Sequence, residues 1–218
     1  MMGEVIGGYS RLLGIIYRQL ESLFGLDDEE KRLISSKLSE SLDSIFLHFA
    51  LVDNKYFFDE KGAILDPLHS TQYCIVLYKL SKVVDHKQLA DKLYLLNKML
   101  NSCDIYHGID LPQFFLPEHP VGTVLGRAKY SDYFVFQQNC TVGGNKGVYP
   151  TIGSHVWMFA NTSIIGDCQI GNNVYISSGT QIKDEDVPDN SLVFGASPNL
   201  IFKKRSADYF EERSPFRL

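Results

Sequence analysis

The sequence predicts an α+β chain in two parts, an N-terminal helical domain followed by a parallel β-helix of hexapeptide repeats. Three observations predict it. An apolar residue returns every sixth position through most of Val124–Val187: Val124, Tyr130, Phe136 and Val142, then Ile152, Met158, Ile164, Ile170, Ile176 and Ile182. Four positions after most of these sits a second residue, usually small or β-branched: Ala128, Phe134, Cys140, Val156, Thr162, Cys168, Val174 and Thr180. In the first half of the chain, by contrast, apolar residues recur at helical spacing.

A period of six fits neither a helix nor simple strand alternation. It fits a solenoid in which short strands wind a triangular coil, so that each residue lies over the one about eighteen positions on. The beat residue points into the prism, and the residue four places later sits near a corner. Gly153, Gly166 and Gly171 trail the beat, where a bend is expected to need positive φ.

Composition bounds the rest. The chain has 218 residues, 44% hydrophobic and 22% charged, which suits one large domain or two modest ones. A net charge of −5 argues against nucleic-acid binding. No apolar run reaches the roughly 20 residues of a membrane span. Met1-Met2-Gly3-Glu4 lacks the basic start of a signal peptide. Cys74, Cys103, Cys140 and Cys168 form no CxxC pair, so no metal site and a reducing cytoplasm are expected.

Taken in order, residues 4–24 read as an amphipathic helix with Tyr9, Leu13, Ile16, Leu20, Leu23 and Phe24 inward, stopped by Gly25. Asp27 and Glu30 have the spacing of a capping box for a second helix, with Leu33, Ile34, Leu38, Leu42, Ile45 and Phe49 inward. Residues 53–67, charged and holding Gly62 and Pro67, read as a loop. A third helix follows Ser70, and a fourth runs from about His86 to Leu100. His69 reads as part of a helix start; His48 and His86 read as solvent-facing helix residues. These elements define a helical domain, residues 1–103. The β-helix domain follows over 104–205 and a C-terminal tail over 206–218. Residues 104–123 connect the two parts without a clean hexad, and residues 187–198, with two prolines and Gly195, read as the exit from the prism.

The beat breaks once. Ten residues separate Val142 from Ile152, so about four leave the prism as a loop around Gly143-Gly144-Asn145-Lys146-Gly147-Val148-Tyr149. Loops on rigid scaffolds are where sites are built, though a plain surface loop fits equally. About one coil earlier, His119 stands in Pro117-Glu118-His119-Pro120. Histidine is suited to take a proton near neutral pH, and a surface histidine is the alternative. His155 points out of the prism in mid-repeat, and His107 lies near the domain junction.

The segment Asp104–Gly126, the Thr141-Val142-Gly143-Gly144 turn, the hexads and Gly195-Ala196-Ser197-Pro198 resemble the serine O-acetyltransferase family. That resemblance implies a left-handed β-helix and an acetyl-CoA-dependent enzyme of cysteine biosynthesis. It implies His119 as the base that takes the acceptor hydroxyl's proton, and Asp104, fifteen positions earlier, as its orienter, with Asp110 as the fallback. Glu118 stands where the family has an aspartate for the substrate amine, and Asp66 resembles a helical-domain aspartate facing the same amine. Gly143 and Gly144 would face the thioester. Ala160 and Ser178 would line the pantetheine groove, and Lys203 or Lys204 would meet the nucleotide phosphates. The resemblance also implies a homotrimer, or a hexamer paired through the helical domain, and a tail that in the family can dock into the next enzyme of cysteine synthesis. The chain departs from the family in its loop, about four residues shorter, with Val148-Tyr149 where an Arg-His pair meets the substrate carboxylate. Tyr149 donates a hydrogen bond but brings no charge, so a sugar hydroxyl is the alternative acceptor to serine.

Overall fold

A computed structural model describes residues 3–217; Met1, Met2 and Leu218 lie outside the described residues. The chain divides into two compact units. One holds the residues up to Asn101 together with Pro215–Arg217, and the other Ser102–Ser214.

The first unit runs β1 (Gly3–Val5), α1 (Tyr9–Phe24), α2 (Asp28–Leu51), β2 (Phe58–Asp59), β3 (Gly62–Leu65), α3 (Ser70–Val83) and α4 (Lys87–Asn101). The capping box at α2 is present: the Glu30 amide donates to Asp27 Oδ1 at 2.8 Å, and the Asp27 amide to Glu30 Oε2 at 3.1 Å. Glu30, only 3% exposed, also takes Lys92 Nζ at 2.7 Å, so its buried charge is paired. His69 caps α3, its Nδ1 accepting from the Gln72 amide. Among the described helices, α3 is buried over the most of its surface and packs against α4 and α2.

Three expectations are corrected here. The first helix begins at Tyr9, and its buried stripe is Leu12, Ile16 and Leu20, while Leu23 is 44% exposed. Residues 3–5 instead form β1, which pairs in parallel with β3. The expected loop 53–67 contains the β2–β3 hairpin, completing a three-stranded sheet. His48 is fully buried, because α2 turns that side of its last turns into the unit.

The second unit is the β-helix. It opens with β4 (Asp104–Ile105) and β5 (Phe115–Pro117), so the linker 104–123 already supplies a first, irregular coil. Then come β6 (Val124–Leu125), β7 (Lys129–Tyr130) and β8 (Phe134–Phe136); β9 (Thr141–Gly143), β10 (Thr151–Ile152) and β11 (Val156–Met158); β12 (Ser163–Ile165), β13 (Gln169–Ile170) and β14 (Val174–Ile176); and β15 (Gln181–Lys183) and β16 (Ser191–Phe194). From β6 to β15 each successive strand joins the next face, and equivalent strands stack in parallel. The first face is β4-β6-β9-β12-β15, the second β7-β10-β13, and the third β5-β8-β11-β14-β16. A last strand, β17 (Ile201–Lys204), turns back antiparallel on β16, and α5 (Ala207–Glu211) follows. Residues 187–196 still belong to the coil, through a Val187–Ile170 bridge, β16 and an Ala196–Gln181 bridge. The exit therefore comes later than expected.

Inside the prism Val142, Ile164 and Ile182 form one column, and Phe136, Met158, Ile176 and Val193 another, all essentially buried. Burial of each such side chain contributes about 2 kcal/mol. At the first coil the beat is off by one: Leu125 pairs with Val142 and points inward, while Val124 is 43% exposed. The glycine expectation is corrected too. Of the three, only Gly166 has positive φ. The left-handed corners are held mainly by side-chain-bearing residues, Tyr133, His155, Asn173 and Asn190 along one edge and Asn139 and Asn161 along another. Asparagine tolerates this region, and its amides ladder between rungs: Asn173 donates to Asn190 at 2.9 Å and Asn139 to Asn161 at 3.0 Å. Gly153 is needed for close approach instead, since a Cβ there would lie 2.6 Å from the Gly171 carbonyl.

Candidate active site

His119 sits where the chain leaves β5 for β6, at the corner between the third face and the first. The Glu118 amide still donates to the Phe136 carbonyl at 2.9 Å, and then His119 takes φ of +52°. For a non-glycine residue directly before proline this conformation is unfavourable, at a cost of about 1–3 kcal/mol. The surroundings hold it. Val121 donates to the His119 carbonyl at 2.8 Å and Gly122 to the Ser102 carbonyl at 2.7 Å, while the buried Thr123 hydroxyl donates to the Gln137 carbonyl at 2.6 Å. The imidazole itself is exposed and makes no hydrogen bond to any described residue.

Asp104 lies on the rung beside this segment. Its amide donates to the Thr123 carbonyl at 2.8 Å, and it stands opposite Val124 in the ladder. The structure therefore brings the backbone of Asp104 next to the turn that carries His119 but does not close a bond between the two side chains.

Glu118 is half-buried, and its carboxylate is held from the next coil. Gln137 Nε2 donates to Glu118 Oε2 at 2.6 Å, while Gln137 Oε1 accepts the Ala160 amide at 3.1 Å. Neither Gln137 nor Thr123 stands out in the sequence. The one signal was that Gln137 lies about a coil beyond Glu118, at the same corner.

The loop after β9 closes as a two-residue hairpin. Asn145 and Val148 exchange backbone hydrogen bonds at 2.9 Å, and Lys146 and Gly147 take φ of +49° and +81°, the pattern of a type I′ turn. Asn145 Nδ2 donates to Asp184 Oδ2 at 2.6 Å, which ties the hairpin to a later coil. The Asp184 carboxyl is held below its ordinary value, chiefly by the Asp167 amide. Tyr149 lies across Gly144, where an added Cβ would meet its ring at 2.6 Å. Gly143 lies in β9 and accepts the Gly166 amide at 2.9 Å.

Ala160 and Ser178 occupy successive rungs, linked by the Gly179 amide donating to the Ala160 carbonyl at 3.0 Å. Ser178 opens onto a shallow groove of about 200 Å³ with Phe159, Tyr175, Phe194 and Tyr209. Lys203 lies over one of these rings, its Nζ 5.0 Å from the Phe194 ring centre. Asp66 belongs to the helical unit, where its carboxylate accepts the Leu68 amide at 2.9 Å. Among the described residues no His, Cys, Asp and Glu cluster is placed to hold a metal, and no helix is long and apolar enough to cross a membrane.

Coil and repeat together define the class: a parallel β-helix protein of the hexapeptide kind. Residues 149–184 match the bacterial transferase hexapeptide family (six repeats). Within that class the similarity falls on serine acetyltransferases, as the sequence motifs led us to expect. The serine acetyltransferase of Synechococcus elongatus is 31% identical over 113 residues, which is 50% of this chain and 46% of that protein. The matched stretch thus spans about half the length of that curated relative. A crystal structure of the serine acetyltransferase from Brucella abortus shares the fold with a TM-score of 0.71, at 20% identity over 93% of this chain and 87% of that one. The same organism's enzyme in complex with coenzyme A aligns with a TM-score of 0.67, at 18% identity over 93% and 85% of the two chains.

Proposed function

We propose that this chain is an acetyl-CoA-dependent O-acetyltransferase acting on L-serine or a close relative. The observation that carries the reading is His119, an exposed imidazole held in a left-handed turn with a carboxylate fixed on the residue before it. Strain of this kind persists where the surroundings over-determine it, and it concentrates at functional sites.

In this reading His119 takes the proton of the acceptor hydroxyl as that oxygen attacks the thioester carbonyl. When the tetrahedral adduct collapses, the C–S bond breaks, and the proton passes to the departing sulfur as coenzyme A leaves. Asp104, one rung away, orients the imidazole once substrates draw the two side chains together; catalytic hydrogen bonds are often long before that. Glu118 meets the acceptor amine. Gly143, Gly144 and Tyr149 bound the place of the reacting carbonyl. Ala160 and Ser178, with no bulk beyond a methyl or hydroxymethyl group, suit a narrow pantetheine arm, and Lys203 suits a phosphate. The bound coenzyme A in the Brucella abortus structure supports acetyl-CoA as the second substrate.

The site is proposed to form between subunits of a homotrimer, which the helical unit would pair into a hexamer. Val121 and Val124 support this, being 57% and 43% exposed on either side of the turn that follows His119. A cytoplasmic setting accords with four buried cysteines, none of them in a disulfide.

Thiol release from acetyl-CoA, with L-serine beside a panel of amino acids and sugars, tests the reading. Serine-dependent release that falls by about 10²–10⁴ in His119→Ala is expected. Release with a sugar and none with serine would establish the second reading, which the compact hairpin and Tyr149 favour, because no guanidinium from this loop meets a substrate carboxylate.

A further inference from the structure

We infer that Gln137 is a positioning residue that sets how the site recognises the acceptor's amine. The inference rests on the proposed role of Glu118 and deepens it. Gln137 stands one coil beyond the His119 turn and grips it on both sides. Its side-chain amide takes Glu118 Oε2 at 2.6 Å, and its backbone carbonyl takes the Thr123 hydroxyl at 2.6 Å. Thr123 Oγ1 in turn accepts the Cys140 amide at 3.0 Å, so the far side of the turn is anchored in the buried prism. Gln137 Oε1 accepts the Ala160 amide at 3.1 Å, which fixes the orientation of the amide. With its oxygen on a backbone N–H, its nitrogen must face the carboxylate, because only the nitrogen donates.

Glutamate is one methylene longer than aspartate and has one more rotatable bond. A free glutamate at position 118 would wander through rotamers and hold an amine loosely. The bond to Gln137 removes that freedom. It engages one carboxylate oxygen and leaves the other lone pairs for a cationic donor such as an ammonium group. It also brings no countercharge to the carboxylate, because the amide is neutral. Gln137 thus converts a long acidic side chain into a fixed anionic contact.

The test uses the full chain, L-serine, and 3-hydroxypropionate as an acceptor that keeps the hydroxyl and carboxylate but lacks the amine. Two variants separate the two ends of Gln137. Gln137→Met removes both hydrogen bonds at similar volume. Gln137→Glu keeps an acceptor for the Ala160 amide but sets a second carboxylate against Glu118. Both are expected to raise the serine KM about tenfold, Gln137→Glu the more, with kcat and the acetyl-CoA KM within about twofold of the parent. Turnover of 3-hydroxypropionate is expected to stay unchanged, so the preference for serine over it collapses. Adding Gln137→Met to Glu118→Gln is expected to cost little further, since Gln137 acts through Glu118. A serine KM within twofold of the parent in both variants overturns the inference, as does an equal loss with 3-hydroxypropionate. An acetyl-CoA KM that rises as much as the serine KM overturns it too. Absence of serine turnover in the parent chain is a different failure, that of the underlying reading of the acceptor.

Discussion

Tyr133 and His155 stack face to face on successive rungs, their ring centroids 4.4 Å apart and their planes 20° from parallel. Phe114 extends the column below at 5.7 Å from Tyr133. Both Tyr133 and His155 hold positive φ, so the stack offsets part of the backbone cost of the corner that carries it.

That stack makes the fold sensitive to acid. Burial holds the His155 imidazole below its ordinary value of 6.5, with Glu211 and Asp132 pulling less strongly the other way. A histidine less basic when folded than when unfolded contributes stability above its unfolded value and loses it as pH falls toward the folded one. The Tm is therefore expected to drop between pH 7 and pH 5, and the drop is expected to shrink in His155→Asn. Asparagine suits the same corner, as Asn173 shows on the next rung. Melting curves of both chains across this range check it.

His119 separates stability from activity. Glycine adopts φ of +52° without the Cβ penalty, whereas alanine retains it. His119→Gly is expected to be more stable than His119→Ala by about 1 kcal/mol, although both lack the imidazole. Urea unfolding of the two variants, read beside their thiol-release rates, tests this.

At the hairpin, Gly144 leaves room for Tyr149. A methyl group there would lie 2.6 Å from the ring and 3.0 Å from the Val148 carbonyl. Gly144→Ala is expected to cut acetyl transfer about tenfold by displacing this segment while moving Tm little. Adding Tyr149→Ala removes the ring clash and is expected to recover part of the rate. Initial rates for the two single variants and the pair decide it.

In the helical unit, Lys92→Met would strand the Glu30 carboxylate, which is buried between α2 and α4. We expect a loss of about 3 kcal/mol, against about 1 kcal/mol for removing the cap with Asp27→Ala. Denaturant unfolding followed by helical circular dichroism compares the two.

Much of this was readable from residue order, and particular residues show where reading stopped. The columns through Ile164 and Ile182 declare themselves because the same inward position repeats on every coil. The phase slipped at Val124 because the first coil is one residue short, so Leu125 rather than Val124 stacks under Val142. The β2–β3 hairpin was hidden because its strands are two and four residues long around Glu60 and Lys61, too short to show a period. Gly153 was noticed for the wrong property. Its φ is ordinary, but the next coil passes so close that Gly153→Ala is expected to cost 1–3 kcal/mol, as overpacking does. In the site, His119 and Glu118 carry a local motif. Gln137 carries none, because its meaning comes from a neighbour a whole coil away.

The C-terminal segment has a further consequence, this time in time rather than space. Pro215 accepts the Asp53 amide, Phe216 bridges Val52, and Arg217 donates to Asp53 Oδ1 and covers the Phe58 ring. These residues belong to the unit that precedes the β-helix in the chain, yet they are made after it. Throughout synthesis of the β-helix, the edge around Val52 and Phe58 waits for its closing piece. The helical unit thus takes its last contacts from residues made after the β-helix, so those contacts form only once the coils between have been synthesised.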